Sequence, residues 1–173
     1  MRNRKQSSMT LMALVLAAPL AQAQVGGSSA PSTPAQGPDA TFIQQAGQSS
    51  MAAIELSRLA GTASESDTVR RAAQRIVWDQ TRSNGELARI AARENIQLPK
   101  TLDADDERLL DALSTRRGPD FDRAYLQAMR EHQERLVVLL NSAEATVSTD
   151  ELRAYVKRNL PVVEAQLEMT SRR

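Results

Sequence analysis

The sequence predicts an all-α fold, for reasons of composition and of hydrophobic spacing. Hydrophobic residues make up 41% of the 173 residues but aromatic residues only 3%, so a core has to be built mainly from Ala, Leu, Ile, Val and Met. Small and straight-chain residues favour helices, and the β-branched and aromatic runs typical of strands are missing. Several long stretches also place apolar residues at the helical period, which indicates helices with one buried face.

The first residues have the form of a removable leader. "MRNRKQSS" is basic, and "MTLMALVLAAPLA" is apolar but shorter than the roughly 20 residues of a membrane span. Ala21-Gln22-Ala23 supplies a small-x-small cleavage site. We predict a signal peptide over residues 1–23, with an uncleaved membrane anchor as the alternative. The predicted location is the periplasm or the exterior, and association with the outer membrane is compatible with it.

The mature chain has a nearly balanced charge and no cysteine. Removing the leader takes away three basic residues and leaves 19 basic and 21 acidic ones, a net charge of −2. Phosphate binding needs net or clustered positive charge, so we predict no nucleic-acid partner. Without cysteine the chain has neither a disulfide nor a thiol for lipid attachment.

Residues 24–38 are predicted to be a disordered Gly/Ser/Pro tether, because "VGGSSAPSTPAQGP" offers too little apolar area to offset its ordering entropy. A single helical domain is predicted over 39–170. Helix A starts at an Asp39 N-cap and runs to about Ala63, and helix B covers about 67–95.

Three more helices are predicted in the second half of the chain. A short one runs from Asp103 to about Ser114, and helix C runs from Pro119 to about Ala145. Ser148 and Glu151 suggest a capping box for helix D, which ends near Met169. Pro161 is expected to kink helix D, because its ring removes a backbone donor and crowds the preceding turn.

The lengths of the connections predict the topology. Two short connections make two helical hairpins, and residues 96–118 are long enough to return along helices of roughly 40 Å. We therefore predict a ferritin-like four-helix bundle with a short extra helix in the long B–C connection. A plain up-down-up-down bundle is the alternative.

Polar side chains interrupt the apolar faces of three helices. Gln80 lies at the centre of the helix B apolar face with Asn84 near its edge, His132 lies within the helix C face, and Gln166 flanks the helix D face. A buried polar group without partners costs about 1–3 kcal/mol, so we expect these groups to bond to one another, to backbone or to water. Glu55 is a fifth candidate, unless it pairs with Arg58.

These inward residues predict no metal and no cofactor. A dinuclear carboxylate site needs Glu-x-x-His on two helices, but Met129 stands three residues before His132, the only histidine. With one histidine and no cysteine, an ordinary zinc or copper site cannot be assembled. Nor does His132 have a nucleophile evident from the sequence, so we predict no catalytic residue.

The only tryptophan lies on the polar side of helix B. Trp78 stands three residues from Arg75 and four from Arg82. Cation–π stacking, or cover by the B–C connection, is one interpretation. Docking of a partner or a glycan is the other, because exposed Trp and Arg are frequent interface anchors.

Four segments carry a family resemblance. They are "FIQQAGQSSMAAIELSRLA", "VRRAAQRIVWDQTRSNGELARIAARENIQLP", "FDRAYLQAMREHQERLVVLL" and "LPVVEAQLEM". Together they resemble a bacterial exported helical family of unknown function with a ferritin-like bundle, whose members are often labelled as predicted outer-membrane proteins. The resemblance covers about residues 39–170, and Phe-Asp-Arg-Ala-Tyr at 121–125 is its most specific piece.

The resemblance implies fold and export, without an activity. Relatives usually have Asp-His where this chain has Asp79-Gln80, a histidine at the place of His132, and His-Leu where this chain has Gln166-Leu167. Those histidines suggest a metal or proton-linked site in the relatives. This chain keeps one of the three, and the amide of Gln80 can hydrogen-bond but cannot titrate.

We predict an exported, non-enzymatic helical protein that acts by binding or in envelope maintenance, under stress for example, with an unknown protein or envelope partner. No membrane span is predicted after removal of the leader. A metal-binding or redox protein with a degraded site is the first alternative, and a periplasmic holdase chaperone is the second.

Overall fold

The computed structural model describes residues 37–171, which form five helices. These are α1 Pro38–Ala63, α2 Asp67–Arg93, α3 Ala104–Ser114, α4 Gly118–Thr146 and α5 Asp150–Ser171. No strand occurs in this part of the chain, so the all-α prediction is confirmed. The predicted signal peptide, and all but the last two residues of the predicted tether, lie outside the described residues. None of the five helices is long and apolar enough to cross a membrane.

Local side-chain chemistry explains where α2 and α3 begin and where α2 ends. Ser66 caps α2 by accepting a bond from the Val69 amide, and Asp103 caps α3 by accepting bonds from two amides of its first turn. Asn95 has a φ of 55°, a left-handed conformation that stops an α-helix. Helix α2 therefore ends at Arg93, two residues before the predicted boundary.

The predicted caps at Asp39 and Ser148 are wrong, because these two residues bond to each other. Helix α1 begins with Pro38 after Gly37, which makes no side-chain cap. The Asp39 carboxylate instead accepts bonds from the Ser148 backbone amide, at 2.7 Å, and from the Ser148 hydroxyl. Thr149 caps α5 by accepting a bond from the Leu152 amide. The side chains of Asp39 and Ser148 thus tie the start of α1 to the turn before α5.

The contacts between helices establish their directions. Tyr125 in α4 bonds to Ser57 near the end of α1, whereas Ser148 beyond α4 bonds to Asp39 at the start of α1, so these helices run in opposite directions. Helix α1 packs against α2 and α4, and α5 packs against the same two helices. Since α1 and α2 form a hairpin, α2 and α4 run in the same direction. Residues 94–117 therefore return along the helices and include α3, which packs on α1 and α4.

The buried apolar residues form two clusters, one towards each end of the long helices. The first includes Phe42, Ile43, Leu87, Leu140 and Leu152, and the second includes Leu56, Ile76, Phe121, Tyr125 and Met129. Burying a side chain of this size contributes about 1.5–3 kcal/mol. On the inward side of α4, Leu140 is fully buried, whereas its neighbour Leu139 is half-buried.

Polar residues occupy the level between the two clusters. We call this set the central polar layer; its members are Ser50 of α1, Asp79 and Gln80 of α2, Gln133 of α4, and Gln166 and Thr170 of α5. All six residues are buried. The ferritin-like assignment itself stays a prediction.

Candidate functional site

The amides of Gln80 and Gln166 meet in the centre of the protein. Gln80 is 3% exposed and Gln166 is 1% exposed. The Gln80 Nε2 donates to Gln166 Oε1 at 3.0 Å, and the Ser50 hydroxyl donates to Gln80 Oε1 at 3.1 Å. These two bonds hold α1, α2 and α5 at one register, because a shift of α2 by one residue would break both of them.

A buried carboxylate extends the layer towards the surface. The Gln166 Nε2 lies 3.4 Å from Asp79 Oδ2, and the Arg75 Nε donates to the same oxygen at 2.7 Å. The Asp79 side chain is 8% exposed, whereas the Arg75 side chain is largely in solvent. Neither Asp79 nor Ser50 was predicted from the sequence as a partner of the amides. The available signal was the position of Asp79 next to Gln80, with Arg75 one helical turn earlier.

His132 lies apart from the Gln80–Gln166 pair. Its Nε2 is 2.9 Å from both the hydroxyl and the carbonyl oxygen of Ser49, and its Nδ1 is buried without a partner among the described residues. Burial lowers the pKa of His132 from 6.5 to about 4, against a smaller raising effect of the Ser49 carbonyl. The imidazole is therefore neutral at pH 7. The structure does not gather the predicted polar residues into one site.

Two of the predicted inward residues are only half-buried. Glu55 accepts a bond from Arg58 at 2.6 Å, which was the alternative predicted for it, so its inward placement is wrong. Asn84 is half-buried, and its Oδ1 makes no bond to another described residue. Neither residue joins the central polar layer.

Other buried polar pairs were not predicted from the sequence. The Thr170 hydroxyl donates to Gln133 Oε1 at 2.8 Å, and the Tyr155 hydroxyl lies 2.7 Å from the Ser83 hydroxyl. Burial raises the pKa of Tyr155 to about 12, so its phenol stays protonated and available as a donor. Serine and threonine carry little periodic signal, because both residue types are common on helix surfaces as well.

Trp78 lies in the open beside a groove between α1 and α2. The indole is 59% exposed, so the α2–α3 connection does not cover it. The guanidinium carbons of Arg75 and Arg82 lie 5.6 Å and 5.9 Å from the ring centre, which confirms the predicted cation–π stacking. The groove has a volume of about 740 Å³, and Gly61 and Val77 are among its lining residues. We call it the Trp78 groove.

The described residues do not fit a metal centre. Residues 37–171 contain no group of three or more His, Cys, Asp or Glu side chains placed to hold an ion. His132 is the only histidine of the chain, and its Nε2 is engaged by Ser49. Amides such as Gln80 and Gln166 are poor ligands for transition metals.

Solved structures share this fold at low sequence identity. A DUF305 fragment from Deinococcus radiodurans is 17% identical with a TM-score of 0.70, and the match covers 79% of this chain and 95% of that one. A DUF305 protein from Streptomyces coelicolor, predicted to be secreted, is 18% identical with a TM-score of 0.68 over 78% and 90% of the two chains. CopM in its Cu(I)-bound form is 22% identical with a TM-score of 0.66 over 76% and 91%.

The identity of the chain at family level comes from its sequence. Comparison with curated proteins gives no match. The sequence pattern of one family, described as a domain of unknown function (DUF4142), matches residues 24–172 and so spans nearly the whole chain beyond the predicted leader. The resemblance to a helical family of unknown function is thereby confirmed, while nothing in these comparisons supports an outer-membrane label. This chain belongs to the DUF4142 family.

Proposed function

We propose that the protein is an exported, non-catalytic binding protein of the cell envelope, and that it binds its partner at the Trp78 groove. The observation that carries this proposal is the exposure of the only tryptophan, 59% open, next to a concave surface. Trp and Arg are enriched among the residues that dominate the binding energy of interfaces, because Trp buries a large rigid area and Arg donates several hydrogen bonds from a planar group. The stacking of Arg75 and Arg82 on this exposed ring contributes only about 0.5–1 kcal/mol per contact to the stability of the fold.

The buried polar groups support a binding role over a catalytic one. Gln80 and Gln166 use their amides on each other, and Asp79 is held by Arg75. The neutral His132 contacts Ser49 through Nε2, but its Nδ1 has no hydrogen-bond partner within residues 37–171 to orient the ring for nucleophilic chemistry. We assign the central polar layer the structural role of fixing helix register.

Export and fold complete the proposal. The leader over residues 1–23 predicts passage across a membrane, and the periplasm or the exterior is the proposed location. The return of residues 94–117 along the helices supports the ferritin-like connectivity with one crossover.

Site-specific photo-crosslinking in cells tests this function. A photoreactive residue replaces Gln74, which is exposed and lines the groove, and in the control it replaces Val138, which is 65% exposed on α4. We expect a discrete adduct from position 74 that disappears when Trp78→Ala is added. Equal adducts from both positions, or an adduct that survives Trp78→Ala, would contradict a partner site at the groove.

Copper or another soft metal is the second candidate, because CopM in its Cu(I)-bound form shares the fold. The ligand set of this chain does not fit such a site. The test is metal content and metal-induced thermal shift of residues 24–173, purified without a histidine tag. No shift is expected; stoichiometric metal that is lost in His132→Ala would establish this second function.

A further inference from the structure

The Trp78 groove has an open wall at Gly61. A Cβ built at Gly61 meets no atom within 4 Å, and nearby Val77 is half-buried at the base of the groove. The lack of a side chain at position 61 therefore leaves the groove clear between α1 and α2. A bulky apolar side chain from outside can lie there against Trp78 and Val77.

The rim of the groove is cationic. Arg58 and Arg82 line it, and Arg75 stacks on the other part of the indole. Arg82 makes no ion pair within the described residues; its contact is the stacking on Trp78. Arg75 forms an ion pair with the buried carboxylate of Asp79, and Arg58 forms an exposed ion pair with Glu55. Within the described residues, Arg82 therefore carries the uncompensated positive charge of this rim, directly beside the exposed indole.

We propose that the Trp78 groove binds an acidic peptide segment of a partner protein. A bulky apolar side chain of the segment lies against Trp78, and its carboxylates pair with Arg82 and Arg58. The arginine fork suits carboxylates because it donates two parallel hydrogen bonds. This inference rests on the proposed function and adds the chemistry of the partner.

A peptide fits these observations better than an anionic membrane does. Besides Trp78, the large hydrophobic residue exposed within residues 37–171 is Val138 on α4. Helices α2 and α4 lie diagonally, because each packs against α1 and α5. The α2 side of the protein thus offers a single aromatic anchor, whereas membrane binding grows with the apolar area inserted.

Intrinsic fluorescence measures the binding directly, because Trp78 is the only tryptophan. The probe is a short synthetic peptide of Asp and Glu around one central Leu, titrated into residues 24–173. The control peptides replace the Leu by Ala or the acidic residues by Lys. Vesicles of phosphatidylglycerol are titrated separately as the membrane alternative.

Three variants locate the binding. Gly61→Leu fills the groove while Trp78 and the arginines stay in place, and it should raise Kd more than about tenfold. Arg82→Gln removes a rim charge without breaking an ion pair and should raise Kd about three- to thirtyfold. Arg89→Gln on the same helix is the matched control, since Arg89 is exposed but does not line the groove; its Kd should stay within about twofold. Circular dichroism verifies that each variant is folded.

Several outcomes overturn the inference. Absence of binding by the acidic peptide, equal binding of the Ala or Lys peptide, unchanged Kd in Gly61→Leu, or a response to vesicles alone would each do so. If the acidic peptide fails while the crosslink from position 74 persists, the partner has another chemistry and the proposed function stands. If both fail, the proposed function falls as well.

Discussion

Replacing Gln80 by leucine tests the central polar layer. Leucine has a similar volume, so packing changes little, but both hydrogen bonds of the amide are lost. Gln166 Oε1 is left without its donor, which costs about 1–3 kcal/mol in a buried position. The Ser50 hydroxyl can instead donate to the backbone carbonyl one helical turn earlier, so losing its hydrogen bond to Gln80 costs little. We expect Gln80→Leu to lower the free energy of unfolding by about 1–3 kcal/mol.

The double variant Gln80→Leu/Gln166→Leu separates the pair from its surroundings. With both amides gone, neither leaves the other unpaired, and Asp79 keeps its bond to Arg75. The cost of the double variant should therefore fall short of the sum of the single costs by about 1–3 kcal/mol.

Urea unfolding followed by circular dichroism provides the four free energies of this cycle. Gln74→Leu is the matched control, because Gln74 is exposed on the same helix; it should change stability by less than about 0.5 kcal/mol. Additive costs within about 0.5 kcal/mol, or a Gln80→Leu variant as stable as the control, would refute the bonded layer.

His132 should make the protein less stable in acid: between the ordinary pKa of 6.5 in the unfolded chain and about 4 in the folded protein, the unfolded chain binds an extra proton. The free energy of unfolding, measured with urea, should therefore fall by about 2–3 kcal/mol through His132 between about pH 7.5 and about pH 4.5. This contribution should vanish in His132→Gln. The same pH dependence of stability in the variant and the wild type would contradict it. Gly61→Ala should raise the free energy of unfolding by about 0.5–1 kcal/mol, since its Cβ meets open space. Gly47→Ala should stabilise the protein less than Gly61→Ala does, because a Cβ at position 47 lies 2.7 Å from Leu98 Cδ2 and 3.3 Å from Pro99 Cδ, so that these side chains have to shift. Equal free energies of unfolding for the two variants would refute this packing. Thr149→Ala should cost about 1 kcal/mol by removing the α5 cap. Glu151→Ala, which removes both the predicted capping-box partner and an exposed ion pair with Arg93, should cost clearly less; the reverse order would restore the predicted capping box.

Much of the fold could be predicted because the helices follow local rules. Phe121, Tyr125 and Met129, for example, recur every four residues, which predicts one helix face, and all three are buried. Boundaries depend on contacts that a single helix does not reveal. Asp39 and Ser148 have the chemistry of caps, but 109 residues separate them along the chain and they bond to each other.

The site was predictable in part, for a similar reason. Gln80 and Gln166 stood out because an amide within an apolar face needs a partner, and they proved to be each other's partner. His132 has the same signal, yet it bonds to Ser49 of α1 instead. Periodicity reports that a side chain points inward, whereas the level at which it meets another helix depends on the packing. The Trp78 groove needed both neighbouring helices, since Gly61 on α1 leaves it open.

The central claim is that the surface at Trp78 binds a partner while the buried polar layer supports the fold. The direct test compares two backgrounds for the photoreactive residue at position 74: Trp78→Ala and the double variant Gln80→Leu/Gln166→Leu. We predict that Trp78→Ala abolishes the adduct while the domain stays folded, at a cost of no more than about 1–2 kcal/mol for its two exposed cation–π contacts. We also predict that the double variant keeps the adduct. An adduct that persists in Trp78→Ala would contradict the account. So would the loss of the adduct in a Gln80→Leu/Gln166→Leu variant that is still folded.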